Sequence, residues 1–180
     1  MTNADSEADD REIYAGRILT LRIKYLTQPD GRRYLREIVE HKPGAAAVAL
    51  DHLGRVLLVR QARPAVGTQM LELPAGLIDP GEAPIECARR ELQEETGYLA
   101  GHLEPLVTFY TSPGFTDELI HIFVATDLTE SVIGHDEEED IEIVRLPLAQ
   151  AIDQVTRAEI SDAKTVSGLL AYAQRHAANA

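Results

Sequence analysis

The chain has 180 residues, 44% of them hydrophobic and 26% charged, with a formal net charge of −13. This size and composition predict one soluble globular domain with a substantial core. The negative charge argues against binding to nucleic-acid backbones or anionic membranes. An anionic substrate would therefore need a local cationic site, made of arginines or metal ions.

The first residues, 1–12, are polar and acidic, with neither a basic start nor an apolar stretch. They predict a disordered tail rather than a secretion signal. The single cysteine, Cys87, cannot form a disulfide within the chain, and this fits a reducing compartment. No apolar run reaches the ~18 residues that a membrane span requires. We therefore expect a cytoplasmic protein without a membrane or nucleic-acid partner.

Strand patterns come first along the chain. Period-two alternation and turn residues predict strands at 21–25, 34–39, 44–50, 56–59 and 71–73. We expect the residues 13–42 to form an N-terminal antiparallel strand region, followed by a main domain at 43–180.

A helix is predicted next, between Pro84 and Gly97. Proline is tolerated in the first helical turn because its missing N–H has no partner there, and glycine suits a left-handed C-terminal cap. Ile85, Ala88 and Leu92 form an apolar stripe that can pack on a sheet while a neighbouring face borders a cleft.

The remaining patterns predict strands at 103–110, 119–125 and 141–147 and helices at 148–157 and 162–176. This order, without repeats or low-complexity linkers, indicates an α+β domain in which helices cover a mixed sheet.

The predicted middle helix carries an unusual set of charges. Residues 76–98 read GLIDPGEAPIECARRELQEETGY, in which Glu91, Glu94 and Glu95 are spaced so that they share one helix face. Like charges at this spacing destabilise an isolated helix by about 0.2–0.5 kcal/mol per pair, so a compensating cation is expected. Clustered carboxylates favour Mg²⁺ or Mn²⁺ over zinc.

This stretch resembles the Nudix hydrolase signature, G-x5-E-x7-R-E-U-x-E-E-x-G-U, where U is an apolar residue. Each fixed position is occupied, by Gly76, Glu82, Arg90, Glu91, Leu92, Glu94, Glu95, Gly97 and Tyr98. The resemblance implies an α/β/α sandwich with a mixed sheet, in which 43–180 is the Nudix domain. It also implies hydrolysis of a diphosphate bond with Mg²⁺, for which Mn²⁺ can substitute.

Metal ligands follow from the resemblance. It implies that Glu91 and Glu95 are the primary ligands, that Glu94 lies close to a shared or second ion, and that the Ala75 carbonyl is a further ligand. Glu82 belongs to the metal site or to its immediate support. Without the resemblance, the same charges would fit the solvated face of an ordinary acidic helix.

Two further roles are implied. Arg90 pairs with a glutamate of the signature and holds it in place. The general base is expected in the acidic run 135–140, where Glu139 and then Glu137 are the candidates, because Nudix enzymes acting on ADP-ribose carry an acidic loop here. Taken alone, such a run indicates a solvated loop.

The substrate must be read from residues outside the signature. The segments LELPAG (71–76), YTSPGFTDE (110–118) and DAKT (162–165) resemble the ADP-ribose pyrophosphatase subfamily, whose marker proline corresponds to Pro113. Arg63 could grip a phosphate or the terminal ribose with its planar fork. Phe115 either lines the pocket or packs in the core.

The resemblance predicts Mg²⁺-dependent hydrolysis of ADP-ribose to AMP and ribose 5-phosphate. Two alternatives stay open, namely hydrolysis of other nucleoside diphosphate derivatives such as GDP-mannose or NADH, and a noncatalytic ADP-ribose sensor. The complete signature counts against the sensor. Relatives commonly form homodimers that exchange N-terminal strands, so we expect a homodimer in which 13–42 takes part.

Overall fold

The computed structural model describes residues 10–131 and 141–177. Within them the strands, in chain order, are β1 (Arg11–Ala15), β2 (Leu19–Thr27), β3 (Arg33–His41), β4 (Gly44–Leu50), β5 (Arg55–Arg63), β6 (Thr68–Glu72), β7 (Ala75–Leu77), β8 (Tyr98–Tyr110), β9 (Leu119–Glu130) and β10 (Glu142–Pro147). The helices are α1 (Pro84–Thr96), α2 (Leu148–Thr156) and α3 (Ala163–Ala177). None of these helices is both long and apolar enough to cross a membrane.

Every predicted strand and helix is present, but several bounds differ. Strand β1 begins at Arg11, so the last two residues assigned to the disordered tail belong to a strand that pairs with β2. Strand β7 was not predicted; its three residues pair with Gly44, Ala45 and Ala46 of β4. Such a short strand, interrupted by glycine, has too few residues to show an alternating pattern.

The described chain falls into two compact units. One comprises the residues up to Pro43 together with Tyr110–Leu119, and the other comprises Gly44–Phe109 and the residues from Ile120 onward. In the first unit, β1, β2 and β3 form an antiparallel sheet in that order. The segment Tyr110–Leu119 joins this sheet through a hydrogen bond from the Val39 N–H to the Phe115 carbonyl, 2.8 Å long.

The second unit is built on a mixed sheet. Its strand order is β10-β5-β4-β9-β8, with β6 beside β5 and β7 beside β4. Strand β4 is parallel to β9 and antiparallel to β5, and β5 is antiparallel to β10. Because both faces of β4 are covered, its sequence is an almost continuous run of buried apolar residues.

Two cores lie on opposite faces of this sheet. On one face, Ala45, Ala47 and Ala49 of β4 pack with Ala88 and Leu92 of α1. The other face carries a second core, which includes Ala46, Val48, Leu50, Ala151 of α2 and Leu169 of α3. The predicted α/β/α sandwich with a mixed sheet is therefore confirmed.

Helix α1 begins and ends where its sequence signals predict. Pro84 is its first residue, and Gly97 follows its last turn with a φ of 72°, in the left-handed region that glycine adopts without strain. The Gly97 N–H donates to the Gln93 carbonyl over 2.9 Å and closes the helix. Leu92 and Ala88 are fully buried, so they form the face of α1 that packs in the core.

Candidate active site

Arg90 gathers three of the glutamates on and near α1. Its Nε and Nη2 atoms donate to the two carboxylate oxygens of Glu82 over 2.9 and 3.1 Å. Its Nη1 atom donates to Glu91 over 2.6 Å and to Glu94 over 3.0 Å. A further bond, from Nη2 to the Leu77 carbonyl, joins the guanidinium to the last residue of β7. One arginine thus ties the loop and the helix together.

The pairing sets the ionisation of Glu82. Its hydrogen bonds from Arg90 lower the pKa of the Glu82 carboxyl from its usual 4.5 to about 2, against the opposing effect of burial. The Asp79 N–H also donates to this carboxylate, over 3.0 Å. The hydrogen bond to Glu82 in turn raises the pKa of Arg90. Glu82 is therefore ionised and Arg90 is cationic at neutral pH, so the ion pair is fully charged there.

Ala75 and Gly76 lie directly against the glutamates of α1. Glu95 is buried, with 7% of its surface exposed, and its carboxylate accepts a 3.0 Å hydrogen bond from the Ala75 N–H. A Cβ atom added to Gly76 would overlap the carboxylate of Glu91. Glycine is therefore required by this close approach, and it places Ala75, Glu91 and Glu95 beside one another.

These residues fit a hard divalent cation by their chemistry. Glu91, Glu94 and Glu95 carry carboxylate oxygens, and the Ala75 N–H donates to Glu95 from the neighbouring strand β7. Such oxygen donors are those that Mg²⁺ takes. Among the described residues, no three histidine, cysteine or acidic side chains are grouped closely enough to hold a metal ion, and Glu91 and Glu94 are hydrogen-bonded to Arg90.

Cys87 is fully buried behind this site. Its thiol lies 3.7 Å from the Gly76 carbonyl and 3.4 Å from the Leu77 carbonyl, to which it donates. Burial, together with the charges of Glu82 and Glu91, raises the pKa of the Cys87 thiol to about 12. Since the thiolate is the reactive form, this cysteine is a packing residue and not a nucleophile.

Arg63 lies at the end of β5, and Glu72 takes up one edge of its guanidinium. Its Nε and Nη2 atoms donate to the two carboxylate oxygens of Glu72 over 2.7 and 2.8 Å. Lys164 also donates to Glu72. Glu72 and Lys164 lie in the segments LELPAG and DAKT, but no functional role was predicted for either residue from the sequence. A glutamate set between Leu71 and Leu73 in a predicted strand was the signal for a buried carboxylate.

Comparison with known families agrees with this geometry. A family model described as the NUDIX domain matches residues 40–169. The chain belongs to the Nudix family. The predicted enzyme class, a Nudix pyrophosphohydrolase, is confirmed by this match and by the relatives below.

Curated Nudix relatives resemble the chain over most of its length. A methanol dehydrogenase activator from Bacillus methanolicus is 38% identical over 86% of this chain and 85% of its own. An ADP-ribose pyrophosphatase from Bacillus subtilis is 38% identical over 86% of this chain and 84% of its own. A GDP-mannose pyrophosphatase from Escherichia coli is 39% identical, over 83% of both chains.

A solved structure resembles the fold closely. It is titled as the crystal structure of an ADP compounds hydrolase, and it superposes with a TM-score of 0.85 at 27% sequence identity. The match covers 95% of this chain and 93% of that one. The mixed sheet and its flanking helices are therefore those of a Nudix hydrolase.

The other predicted substrate and base residues lie away from the Nudix signature in sequence. Pro113 and Phe115 belong to the first unit, in an exposed turn in which the Phe115 N–H donates to the Ser112 carbonyl over 3.1 Å. Phe115 is 54% exposed, so it is not a core residue of the described chain. Glu137 and Glu139 lie outside the described residues.

Proposed function

We propose that this Nudix enzyme hydrolyses ADP-ribose to AMP and ribose 5-phosphate, with Mg²⁺ as its cofactor and Mn²⁺ as a possible substitute. The observation that carries the proposal is the contact between Ala75 and Gly76 of β7 and the glutamates Glu91 and Glu95 of α1. This contact supports the proposal because it brings two carboxylates that the Nudix signature assigns to the metal next to the strand that carries Ala75. The 38% sequence identity to the ADP-ribose pyrophosphatase from Bacillus subtilis supports the choice of ADP-ribose as the substrate.

In this proposal the Ala75 carbonyl, Glu91 and Glu95 would hold the metal, and Glu94 would lie beside them. A divalent cation bound there would neutralise the diphosphate and lower the pKa of bound water. Glu95 is oriented by the Ala75 N–H, and Glu91 is held by Arg90. Arg90 is itself fixed by Glu82. In this proposal Glu82 and Arg90 therefore orient the metal ligands and take no direct part in hydrolysis.

The general base is assigned to Glu139, with Glu137 as the second candidate. The described residues before this acidic segment support the assignment. Ser131 accepts a 2.8 Å hydrogen bond from the Gln93 side chain of α1, and its N–H donates to the Gly97 carbonyl. The acidic segment therefore follows a residue that is hydrogen-bonded to the end of α1.

Substrate binding is assigned to Arg63, Pro113 and Phe115. Arg63 keeps 39% of its side chain exposed although Glu72 occupies one edge. Glu72 also raises the pKa of Arg63, so the guanidinium stays cationic for a phosphate or ribose oxygen. Exposed Phe115 offers an aromatic ring for a nucleobase, and Pro113 stiffens the turn that carries it.

A homodimer in the cytoplasm completes the proposal. The first unit exposes large apolar side chains on its strands and adjoining residues, a pattern typical of an interaction surface. Those of the N-terminal strand region are Ile13, Tyr14, Ile18, Leu26 and Leu35. Light scattering coupled to gel filtration will give twice the chain mass of 19.8 kDa if the dimer forms. A single-chain mass at micromolar concentration would refute it.

The substrate is tested by a panel of nucleoside diphosphate derivatives incubated with Mg²⁺, with Mn²⁺ or with a chelator, followed by product identification. We expect AMP and ribose 5-phosphate from ADP-ribose only when metal is present. Preferred turnover of GDP-mannose would favour the second candidate, which the 39% identical Escherichia coli relative supports. Tight ADP-ribose binding without turnover would identify a sensor.

The ligand assignment is tested by Glu95→Gln, which keeps the shape of the side chain and removes its charge. We expect turnover to fall by at least ~100-fold, in line with losses from disturbed metal sites. Glu86→Gln is the matched control, because Glu86 is on the same helix, pairs only with Arg89 among the described contacts and is 58% exposed. Equal activities of the two variants would contradict the assignment.

A further inference from the structure

Glu72 is a fully buried carboxylate at the end of β6, three residues before β7. It ends β6 with 1% of its surface exposed, and its neighbours Leu71 and Leu73 both belong to the core. A charged carboxylate is costly to bury unless it is paired and hydrogen-bonded. Burial alone would raise the pKa of Glu72, but the bonds from Arg63 and Lys164 outweigh it and lower the pKa. Glu72 is therefore an anion held inside the protein.

The partners of Glu72 form a closed ring of contacts. Lys164 bonds to Glu72 and lies 3.1 Å from Asp162. The Asp162 carboxylate accepts hydrogen bonds from the N–H and the hydroxyl of Thr165, over 3.0 and 2.6 Å. The Thr165 hydroxyl in turn accepts the Leu73 N–H over 2.8 Å. The ring thus fixes Glu72 from both its side chain and the next backbone amide.

The fixed carboxylate of Glu72 in turn holds the guanidinium of Arg63 in place. Glu72 takes Nε and one proton of Nη2, which leaves the Nη1 side of the guanidinium with no hydrogen bond to any described residue. A carboxylate bound in this way fixes the plane of the guanidinium, and the opposite edge keeps the geometry for a second anion. Because 39% of the Arg63 side chain is exposed, a ligand in solution can reach it.

We propose that Glu72, anchored by Lys164, is a positioning residue that presents the Nη1 edge of Arg63 to a phosphate oxygen of the nucleoside diphosphate. This inference rests on the proposed function, in which Arg63 binds the substrate. Its physical basis is preorganisation, since the arginine rotamer is fixed during folding and not during binding. Fixing one long side chain in this way is worth about 2- to 12-fold in affinity.

The test is a double-mutant cycle of Glu72→Gln and Arg63→Ala, with KM and kcat measured on ADP-ribose. We expect Glu72→Gln alone to raise KM by about 3- to 10-fold while kcat changes less than twofold, because uniform binding is lost. In the Arg63→Ala background, Glu72→Gln should change KM by less than twofold. Asp153→Asn, in an exposed pair with Arg157 on α2, is the matched control and should leave both constants unchanged.

Equal KM effects of Glu72→Gln with and without Arg63 would overturn the proposal, since Glu72 would then act independently. A fall in kcat alone would overturn it as well. If Glu72→Gln does not fold, Glu72→Asp replaces it, because aspartate keeps the charge and withdraws the carboxylate by one methylene; its KM effect should likewise vanish with Arg63→Ala.

Failure of the proposed function is recognised separately. If the wild type hydrolyses another member of the panel and not ADP-ribose, the substrate assignment fails and the cycle is measured on that member. Calorimetric binding of the same compound in chelator, to all four members of the cycle, gives a readout that needs no metal. Loss of melting temperature in Glu72→Gln with unchanged affinity would show a purely structural role and refute the inference.

Discussion

The Glu82–Arg90 pair makes a quantitative prediction for protein stability. A pKa lowered from 4.5 to about 2 means that folding stabilises the ionised carboxylate, and each tenfold change in proton affinity is worth ~1.4 kcal/mol. The pair therefore contributes up to about 3 kcal/mol at neutral pH. Neither partner is more than a third exposed, so screening by solvent reduces this value only modestly. We expect Glu82→Gln to lower the free energy of unfolding by about 2–3 kcal/mol.

The sign of the pH dependence follows from the lowered pKa. The stabilisation is fully present above the unfolded value of 4.5 and is lost as the pH falls towards about 2. Urea unfolding of the wild type and of Glu82→Gln, measured between pH 3.5 and pH 8, should show a constant difference above pH 5 that shrinks below it. Glu86→Gln removes an exposed ion pair with Arg89 on the same helix. It should lower the free energy of unfolding by under ~0.5 kcal/mol over the whole pH range. A Glu82→Gln loss as small as this control, or one that grows on acidification, would refute the reasoning.

Three further predictions concern single positions near the site. Gly76→Ala should lower metal-dependent turnover by at least ~10-fold, because the new Cβ displaces the Glu91 carboxylate; unchanged kinetics would contradict the close approach. Cys87 should resist iodoacetamide at pH 8 in the native protein and react fully in denaturant, since its pKa is about 12; rapid native labelling would disprove this burial. Leu92→Ala should cost about 2–5 kcal/mol in urea unfolding, and a smaller cost would show that α1 repacks.

The sequence predicted α1 and its glutamates well because their signals are local. Helix boundaries follow from Pro84 and Gly97, and the shared face of Glu91, Glu94 and Glu95 follows from helical spacing alone. Most of the strands were also predicted from their alternation, although β7 was not. The order of the strands in the sheet could not be predicted. The pairing of β4 with β9 joins segments that are far apart in the chain, and alternation carries no information about which strands pair.

The contacts of Arg63 show why part of the site escaped sequence reasoning. Its planar fork was predicted to bind substrate, but the carboxylate that holds it could not be identified, since neither partner of Glu72 lies next to it in sequence. Lys164 lies on α3, which packs in the core on the face of the sheet opposite to α1. The bond between Glu72 and Lys164 is a product of tertiary packing, which a period or a motif does not encode.

The hydrogen bond from Leu73 to Thr165 also bears on the order in which the enzyme is made. The two residues are 92 positions apart, and the ring that contains them leads directly into the loop of Ala75 and Gly76. During synthesis the earlier partner leaves the ribosome long before the later one, so a nascent chain that already displays the whole Nudix signature still lacks this closure. The buried carboxylate of Glu72 consequently acquires its full set of contacts only after residue 165 has left the ribosome and α3 has docked.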